Sequence, residues 1–366
     1  MSNNKHFRIL QPQPICIGAG LIALDVVINQ DKPTDAKFWA GGSCGNVLTI
    51  LSYLGWQVNP ISRLGRDAAA EIIKADMRQF KVDLSFIENE ENIATPIIIE
   101  KIGVGRHGIP THSFHLVCSE CKSRLPRYKP FLFKNAYNLS HRLARATTFY
   151  FDKLSPGTLE LARLAASSGK LVVFEPSSIG NKSLFNRALK SCHILKYAHD
   201  RLGHIKDFTQ EATVLLQVET LGAKGIRYRR RGENGVLAEW QLVPGFTAES
   251  FKDAAGSGDW CTAGMIHLLG QSGTSKLENC SNDELVEALK FGQALAALNC
   301  LFDGARGAMY ALSAQSLKMA VEQIMMGNQP KLIYQDMAPN SIKKTLQDVC
   351  PSCIHKKHTS VGNTPL

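Results

Sequence analysis

The sequence predicts an α/β fold with a central, mostly parallel sheet and helices on both faces. Short apolar strands alternate along the chain with segments whose apolar residues follow helical spacing, and this alternation is typical of parallel sheets. The 366 residues are 44% hydrophobic, enough to bury one large core or two smaller ones. No run of about 18 apolar residues occurs, so the sequence predicts no membrane-spanning helix and no membrane partner.

The predicted elements follow one another along the chain with glycines at their ends. The first half contains a strand, a glycine turn and a second strand, then two helices and a strand, in PICIGAGLIALDVVI, GNVLTILSYLGW, RDAAAEIIKADMRQF and TPIIIEKI. The second half adds a helix–strand unit, a strand–turn–strand unit and two helices, in GTLELARLAASSGKLVVFEP, TVLLQVETLGAKGIRYRR, CTAGMIHLLG and NDELVEALKFGQALAALNCLF.

The chain is basic, with a net charge of +10 and a pI of about 9.1. Its Lys and Arg residues are scattered, apart from the cluster Arg227, Arg229, Arg230 and Arg231 beside the turn GENG. We interpret this cluster as a solvated hairpin, because no aromatic residues alternate with it as nucleic-acid stacking requires. The N-terminal stretch lacks the apolar segment of a signal peptide, and ten cysteines without such a signal indicate a reducing compartment. We therefore expect a cytoplasmic protein that binds no nucleic acid.

The stretch DAAGSGDWCTAG, residues 253–264, carries the clearest chemical signal. Gly256, Ser257 and Gly258 have little side-chain bulk, so a ligand can approach their backbone closely. At a helix start, their N–H groups would face an anion with the helix dipole behind them. Asp259 could then take a proton from an attacking hydroxyl while the amides stabilise a transferring phosphoryl group. A helix start capped by an aspartate is the purely structural alternative, since short glycine motifs are weak signals.

DAAGSGDWCTAG resembles the C-terminal signature of the ribokinase-like, or PfkB, carbohydrate kinases, and other landmarks of that family occur in the same order. The matching stretches are ICIGAGLIALDVVI, GGSCGNVLTILSYLG, ISRLGRDAAAEIIKADMRQFKVDLSFI, VETLGAKGIRYR and ALAALNCLFDGARGA. The resemblance covers about residues 14–313. It implies a Rossmann-like ribokinase fold in which a small β lid covers the substrate.

The resemblance also implies a role for each landmark. Asp259 would be the base, and the amides of Gly256, Ser257 and Gly258 would form the anion hole for transfer of the γ-phosphate of ATP to a sugar hydroxyl. The residues implied to bind the substrate are Asp25, Gly41, Gly42 and Asn46. The residues implied to bind the nucleotide are Thr220, Gly222, Gly225 and Asn299. ATP and Mg²⁺ are the implied cofactors, and a potassium ion near Asp253 is left open.

One position departs from the family pattern. The family places Asn-x-x-Glu after a strand, where it organises the metal and the phosphates, but this chain has Ala198 and Arg201 there. Asp200 or Glu211 could replace them through water, or the metal could rely on ATP alone. A nucleoside kinase, and a kinase-like regulatory or binding protein with weak catalysis, therefore stay open beside the sugar kinase.

Two Cys-x-x-Cys pairs fall outside the family pattern, Cys118 with Cys121 and Cys350 with Cys353. Two such turns can supply four thiolates to one tetrahedral Zn²⁺, so we predict a structural zinc that joins the tail to an insertion. The pairs are 229 positions apart (350 − 121), more than in local zinc motifs. Free thiols and transient disulfides are the alternatives. The alternative ligands are His112, His115, His355 and His358.

We predict a kinase domain over residues 1–328, with lid segments at about 18–42 and 96–118, and a C-terminal extension over 329–366. A sugar or nucleoside is the expected partner, and a homodimer formed through the lid is also expected from the resemblance. Gly18-x-Gly20 imitates a dinucleotide-binding fingerprint, but a strand rather than a helix is predicted after these glycines. We therefore do not expect NAD.

Overall fold

The computed structural model describes residues 7, 12–30, 36–105, 110–203, 213–246, 250–335 and 344–361. The strands are β1 (Ile15–Ala19), β2 (Ala23–Asn29), β3 (Lys37–Gly41), β4 (Gln57–Gly65), β5 (Ile87–Glu90), β6 (Ile97–Val104), β7 (Pro110–His115), β8 (Thr148–Phe151), β9 (Leu171–Phe174), β10 (Ile194–Ala198), β11 (Leu216–Thr220), β12 (Ile226–Arg230) and β13 (Gln241–Val243). The helices are α1 (Ser43–Tyr53), α2 (Ala68–Gln79), α3 (Ala136–Leu143), α4 (Pro156–Ser167), α5 (Lys182–Leu189), α6 (His199–Leu202), α7 (Ser257–Leu269), α8 (Thr274–Asn279), α9 (Asn282–Asn299), α10 (Gly307–Ala311), α11 (Ala314–Met325) and α12 (Pro351–Val361).

The large sheet has nine strands in the order β13-β12-β11-β10-β9-β8-β1-β4-β5. Neighbouring strands from β11 to β5 are parallel, and β12 and β13 form an antiparallel edge. Strands of a parallel sheet are covered on both faces by helices, so they are apolar on both sides. All residues of β8 and β9 are indeed buried. The prediction of an α/β fold with a mostly parallel sheet is confirmed.

Alternate residues of the central strands point into two apolar clusters, one on each face of the sheet. Leu171 of β9 belongs to the first cluster, whereas Val172 belongs to the second. Helices α1, α7 and α9 contribute to the first cluster, and α4 and α5 contribute to the second. A Cβ atom on Gly264 of α7 would lie 2.6 Å from the Cα atom of Gly292 of α9, so these helices are in close contact. This contact fixes the position of α7.

A second, smaller sheet has four strands in the order β3-β2-β6-β7. Strand β2 pairs antiparallel with β3 and parallel with β6, and β7 pairs antiparallel with β6. These strands lie within residues 18–42 and 96–118. Strand β2 follows β1 without an intervening helix, so the glycines between them do not form a dinucleotide-binding turn. The chain thus passes directly from the large sheet into the small sheet.

The arginine cluster lies on and after β12, where the guanidinium groups contact other parts of the protein. Arg230 donates to three carbonyl groups at the end of α8, and Arg231 donates to a carbonyl beside β11. The guanidinium groups of Arg227 and Arg229 lie 4.7 and 4.6 Å from the ring centre of Trp240. The pairing of Arg231 with Leu237 confirms the hairpin, but its arginines are half-buried and hold the edge of the sheet in place, so the prediction that they are solvated is wrong.

The C-terminal part of the chain packs back onto the first apolar cluster. Leu346, Val349, Cys350 and Cys353 are all buried there. Over the described ranges, every helix is too short or too polar to cross a membrane.

Candidate active site

Several parallel strands of the large sheet end at one edge, and polar side chains lie at or directly after these ends. Asp152 follows β8, Glu175 follows β9, and Thr220 is the last residue of β11. Ligands of open α/β sheets bind outside the carboxyl ends of the strands. The start of α7 reaches the same edge, since Nζ of Lys196 on β10 donates to the carbonyl of Gly258 at 3.1 Å.

Helix α7 begins with a turn that requires glycine. Gly256 has a φ of 70°, and a Cβ atom there would overlap the carbonyl of Ala305. Trp260, one turn later, is fully buried, and its Nε1 donates to the same carbonyl at 3.0 Å. Trp260 therefore packs the helix against the loop before α10.

Three backbone amides follow Gly256 in the first turn of α7, and they are not equivalent. The N–H of Ser257 donates to the carbonyl of Ala254 at 3.1 Å, which closes the turn. The amides of Gly258 and Asp259 come next, at helix positions where no intrahelical acceptor exists. An anion at the helix tip would therefore meet these two amides, with the positive end of the helix dipole behind them.

Asp259 lies in this first turn and is partly accessible to solvent. Nδ2 of Asn46, on α1, donates to its Oδ2 at 2.7 Å. Loss of hydration raises the pKa of Asp259 to about 8, with a further contribution from the negative charge of Glu175. The hydrogen bond from Asn46 and the positive charge of Lys196 act in the opposite direction. A carboxyl group with a pKa near neutrality is suited to accept a proton from a hydroxyl group.

Lys196 and Glu175 are functional candidates that the sequence analysis missed. Nζ of Lys196 lies 2.5 Å from Oε1 of Glu175, and only 1% of the lysine side chain is exposed. Oε2 of Glu175 accepts hydrogen bonds from Thr262 at 2.6 Å and Tyr150 at 3.2 Å. Burial lowers the pKa of Lys196, but the Glu175 carboxylate raises it, and the net pKa is above the ordinary value. The only signal in the sequence was a single lysine within the apolar strand ILKYA.

Asp25 lies on β2, against Gly41, the last residue of β3, and Gly42, which follows it. A Cβ atom on Gly41 would overlap its carboxylate, so the backbone approaches this acid closely. Burial raises the pKa of Asp25 to about 7, while the positive charge of Arg306 and a hydrogen bond from the backbone of Gly42 lower it. Oδ1 of Asp25 and Oδ1 of Asn46 are both buried and lack a hydrogen-bond partner within the part of the chain that the structure describes. Each of these two buried oxygens has the capacity to accept a hydrogen bond from a ligand hydroxyl group.

Arg306 is a buried cation near Asp25 that the sequence analysis did not single out. It donates to Oδ2 of Asp76 at 2.6 Å and to the carbonyl of Ala40. The hydroxyl of Tyr310 also donates to Asp76, at 2.9 Å. These contacts join the start of α10 to α2 and β3, and they hold the edge of the small sheet beside Asp25.

The predicted nucleotide residues lie in two different environments. Thr220 is half-buried at the end of β11, and Gly222 and Gly225 have φ values of 60° and 103° in the turn that follows. Asn299 is fully buried: its Nδ2 donates to the carbonyls of two loops at 3.2 Å, and its Oδ1 accepts from a backbone amide at 3.2 Å. The expectation that Asn299 binds the nucleotide does not fit this placement, because its side-chain nitrogen and oxygen both bond backbone groups of the protein.

The position expected to organise Mg²⁺ offers no metal ligand. Ala198 ends β10 with a methyl group, and Arg201 is an exposed cation on α6. Asp200 is exposed on the same short helix, and Glu211 lies outside the described residues. Magnesium requires oxygen ligands, so the side chains of Ala198 and Arg201 do not fit the ion, and Asp200 is the described carboxylate nearest to them in the sequence.

Asp253 precedes the turn that begins α7, and its side chain contacts the small sheet. Nδ1 of His112, on β7, is 3.1 Å from its Oδ1. The amides of Ala255 and Gly304 also donate to its carboxylate, at 3.0 and 2.8 Å. Burial and the nearby charge of Asp253 raise the pKa of Glu100 to about 10. One ligand atom each from Glu100, His112 and Asp253 lies within 4.8 Å of the others, and the potassium ion near Asp253 stays a prediction.

The four predicted zinc ligands come together beside the small sheet. The Sγ atoms of Cys118, Cys121, Cys350 and Cys353 lie within 4.8 Å of one another.

A family model described as pfkB family carbohydrate kinase matches residues 15–310, which is most of the chain. No curated protein matches the chain. Eight similar solved structures share 14–18% identity with the chain, which shows the same fold.

Three of these structures illustrate the similarity. The fructokinase of Xylella fastidiosa with bound ATP has 18% identity and a TM-score of 0.61, over 81% of this chain and 94% of that chain. The ribokinase of Arabidopsis thaliana complexed with ribose and ATP has 16% identity and a TM-score of 0.60, over 85% and 99%. The nucleoside kinase of Burkholderia thailandensis in complex with inosine has 16% identity and a TM-score of 0.61, over 86% and 99%.

Proposed function

The chain belongs to the pfkB family of carbohydrate kinases, and from that premise we propose that it transfers the γ-phosphate of ATP to a hydroxyl group of a sugar. The observation that carries the proposal is the position of Asp259. Its carboxyl group has a raised pKa, is partly accessible, and lies in the first turn of α7 beside amides that have no intrahelical acceptor.

In the proposed reaction, Asp259 accepts the proton of the acceptor hydroxyl as its oxygen attacks the γ-phosphorus of ATP. The bond from that phosphorus to the bridging oxygen breaks, and ADP leaves. The amides of Gly258 and Asp259 stabilise negative charge on the transferring group, together with the dipole of α7. Asn46 orients the base through the hydrogen bond of 2.7 Å to Oδ2.

The buried acceptors favour a polyhydroxylated substrate. Oδ1 of Asp25 and Oδ1 of Asn46 both need donors, and adjacent hydroxyl groups of a sugar supply them. Asn46 would then contact the substrate through one atom and the base through the other. The ribose of a nucleoside carries the same pair of hydroxyls, so a nucleoside is the alternative acceptor, and the nucleoside kinase among the similar structures supports keeping it. In this proposal the small sheet is the lid over the acceptor.

Magnesium enters this proposal with the nucleotide. ATP phosphates bring their own oxygen ligands for the ion, whereas Ala198 and Arg201 offer none. The buried ion pair of Lys196 and Glu175 lies beside the first turn of α7. Protein groups therefore contribute to the electrostatic potential at this end of the helix.

The test is ATP consumption by the purified full chain with a panel of free sugars and nucleosides, with mass spectrometry of the phosphorylated product. We expect Asp259→Asn to lower kcat by about 10²- to 10⁴-fold. Asparagine has nearly the size of aspartate, but it does not act as a general base. The matched control is Asp283→Asn, an exposed aspartate in the first turn of α9, which should leave the rate unchanged.

An undiminished rate in Asp259→Asn would remove the proposed base. Phosphorylation of nucleosides but of no free sugar would support the nucleoside alternative. Binding of ATP and sugar without any turnover by the wild-type chain would support the regulatory alternative, which the loss of the Asn-x-x-Glu pattern favours.

A further inference from the structure

Four cysteines from distant parts of the chain meet at one point beside the small sheet. The Sγ atoms of Cys118 and Cys353 are 3.7 Å apart, and those of Cys121 and Cys350 are 3.8 Å apart. We propose that these four thiolates bind one structural Zn²⁺, which clamps the C-terminal helix α12 onto the hairpin that follows β7.

The sulfur positions match a tetrahedral site. Zinc–sulfur bonds of about 2.3 Å at tetrahedral angles place neighbouring sulfurs about 3.8 Å apart. Two of the six sulfur–sulfur separations, 3.7 and 3.8 Å, equal this edge length, and the others are at most 4.8 Å. They are too long for disulfide bonds, which hold sulfurs about 2.05 Å apart. Four unlinked thiols at these distances, three of them buried, form a closed set of ligands with no open position.

The backbone of the first pair has the form of a tight metal-binding turn. The N–H of Cys118 donates to the carbonyl of Ser123 at 2.9 Å, and the N–H of Lys122 donates to the carbonyl of Cys118 at 3.1 Å. Lys122 has a φ of 61°, one of the few positive values among the described non-glycine residues. This strained conformation folds the chain back so that the thiols of Cys118 and Cys121 point the same way.

The second pair lies at the first turn of α12. The N–H of Cys353 donates to the carbonyl of Cys350 at 3.0 Å, and the N–H of Ile354 donates to the same carbonyl at 3.1 Å. This turn fixes both thiols on one side of the helix start. Cys350 and Cys353 are 1% and 6% exposed, so a metal bound here would be shielded from water.

The histidines that were alternative ligands have other positions. His112 contacts Asp253, and the hydroxyl of Ser113 lies 2.9 Å from Nε2 of His115. His355 is exposed on α12, and the side chain of His358 lies outside the described residues. The cysteine-only set is therefore the one that the structure brings together.

A metal at this point would act on the small sheet. The N–H of Leu125 donates to the carbonyl of Leu116 at 3.0 Å, and the N–H of Ile97 donates to the carbonyl of Pro126 at 3.3 Å. The hairpin that carries Cys118 and Cys121 thus joins the end of β7 to the start of β6. Zinc would tie this junction to a segment 229 or more positions away, and it would hold the small sheet and the tail as one unit.

The first test is metal analysis of the full chain, purified under reducing conditions without chelators. We expect about one zinc per chain in the wild type, and none in the double variant Cys350→Ser/Cys353→Ser. The matched control is Cys192→Ser, a buried cysteine of the second apolar cluster, which should keep its zinc. Asp259→Asn should also keep it, which separates this proposal from the proposed function.

A second measurement uses the wild type alone, in case the double variant does not fold. Titration with an organomercurial in the presence of a chromogenic zinc chelator should release the zinc as the four thiolates react. Removal of zinc should raise hydrogen exchange in residues 350–356 and 116–125, and should lower Tm by about 5 °C or more. Iron in place of zinc, absence of metal, or disulfides between the pairs in peptide maps of the native protein would each overturn the assignment.

Discussion

The raised pKa of Asp259 makes the proposed kinase activity sensitive to pH in a defined direction. A base must be unprotonated to act, so activity is lost as the pH falls below its pKa. With a pKa of about 8 in the free protein, roughly 1% of the molecules carry the ionised base at pH 6. We therefore expect kcat/KM at pH 6 to be about 100-fold below its plateau above pH 8.

The substitution Glu175→Gln should move this pH dependence, because the charge of Glu175 is one cause of the raised pKa. Oε1 of Glu175 lies 3.7 Å from where a Cβ on Gly258 would stand, which places the carboxylates of Glu175 and Asp259 within roughly 10 Å. At that distance, with an effective dielectric constant of about 20, two charges interact by about 1.7 kcal/mol, or about one pH unit. The acid limb of kcat/KM should therefore move down by about one unit.

The assay is ADP formation at low acceptor concentration and saturating ATP, from pH 6 to 9, with buffers of constant ionic strength. Glutamine has the size of glutamate and still accepts a hydrogen bond from Lys196. Glu233→Gln, an exposed glutamate in the turn after β12, is the control and should leave the profile in place. A wild-type profile that is flat over this range, or a limb that Glu175→Gln moves upward, would refute the reasoning.

Two further substitutions test the surroundings of the base. Gly41→Ala places a methyl group against the carboxylate of Asp25. We therefore expect KM for the acceptor to rise at least tenfold while KM for ATP is unchanged. Equal effects on the two KM values would place Asp25 outside the acceptor site. Lys196→Met leaves Glu175 buried without its cation, and we expect a loss of about 3–5 kcal/mol in the free energy of unfolding, measured in urea against the exposed control Lys182→Met. A loss below 1 kcal/mol would mean that Lys196 and Glu175 are not a coupled buried pair.

Local sequence patterns predicted those features of the fold that depend on residues close together in the sequence. Alternating apolar segments predicted the parallel sheet, and Gly256 permits the left-handed conformation that the start of α7 adopts. Lys196 was missed because the role of a lysine in an apolar strand depends on its partner Glu175, which directly follows a different strand. Asn299 was assigned to the nucleotide for a related reason, since burial by α10 and the loop before it cannot be read from the helix pattern.

Non-local chemistry was predicted only where the residue type limits the choices. Four cysteines in two tight turns have few chemical roles, chiefly metal binding and disulfide formation. Their spatial proximity could therefore be predicted although 229 positions of sequence separate the pairs. A carboxylate has many possible roles in a protein. The sequence could not show that Asp25 retains an oxygen without a hydrogen-bond partner, whereas Asp253 accepts several hydrogen bonds. The distinction between a binding acid and a structural acid is decided by three-dimensional contacts.

The departure from Asn-x-x-Glu and the raised pKa of Asp259 both bear on the rate of the proposed reaction. Without a protein-held metal at Ala198 and Arg201, the fixed positive charge near Asp259 comes from Lys196, which Glu175 already neutralises. Burial of the carboxyl group is the main cause of the raised pKa of Asp259, and the negative charge of Glu175 adds to it. At pH 7 only about a tenth of the molecules are ionised, but each ionised carboxylate is a stronger base, and under Brønsted behaviour the two effects partly cancel. The regulatory alternative predicts no such compensation, so a substantial rate that still rises between pH 7 and pH 8 would favour a working kinase over a binding protein.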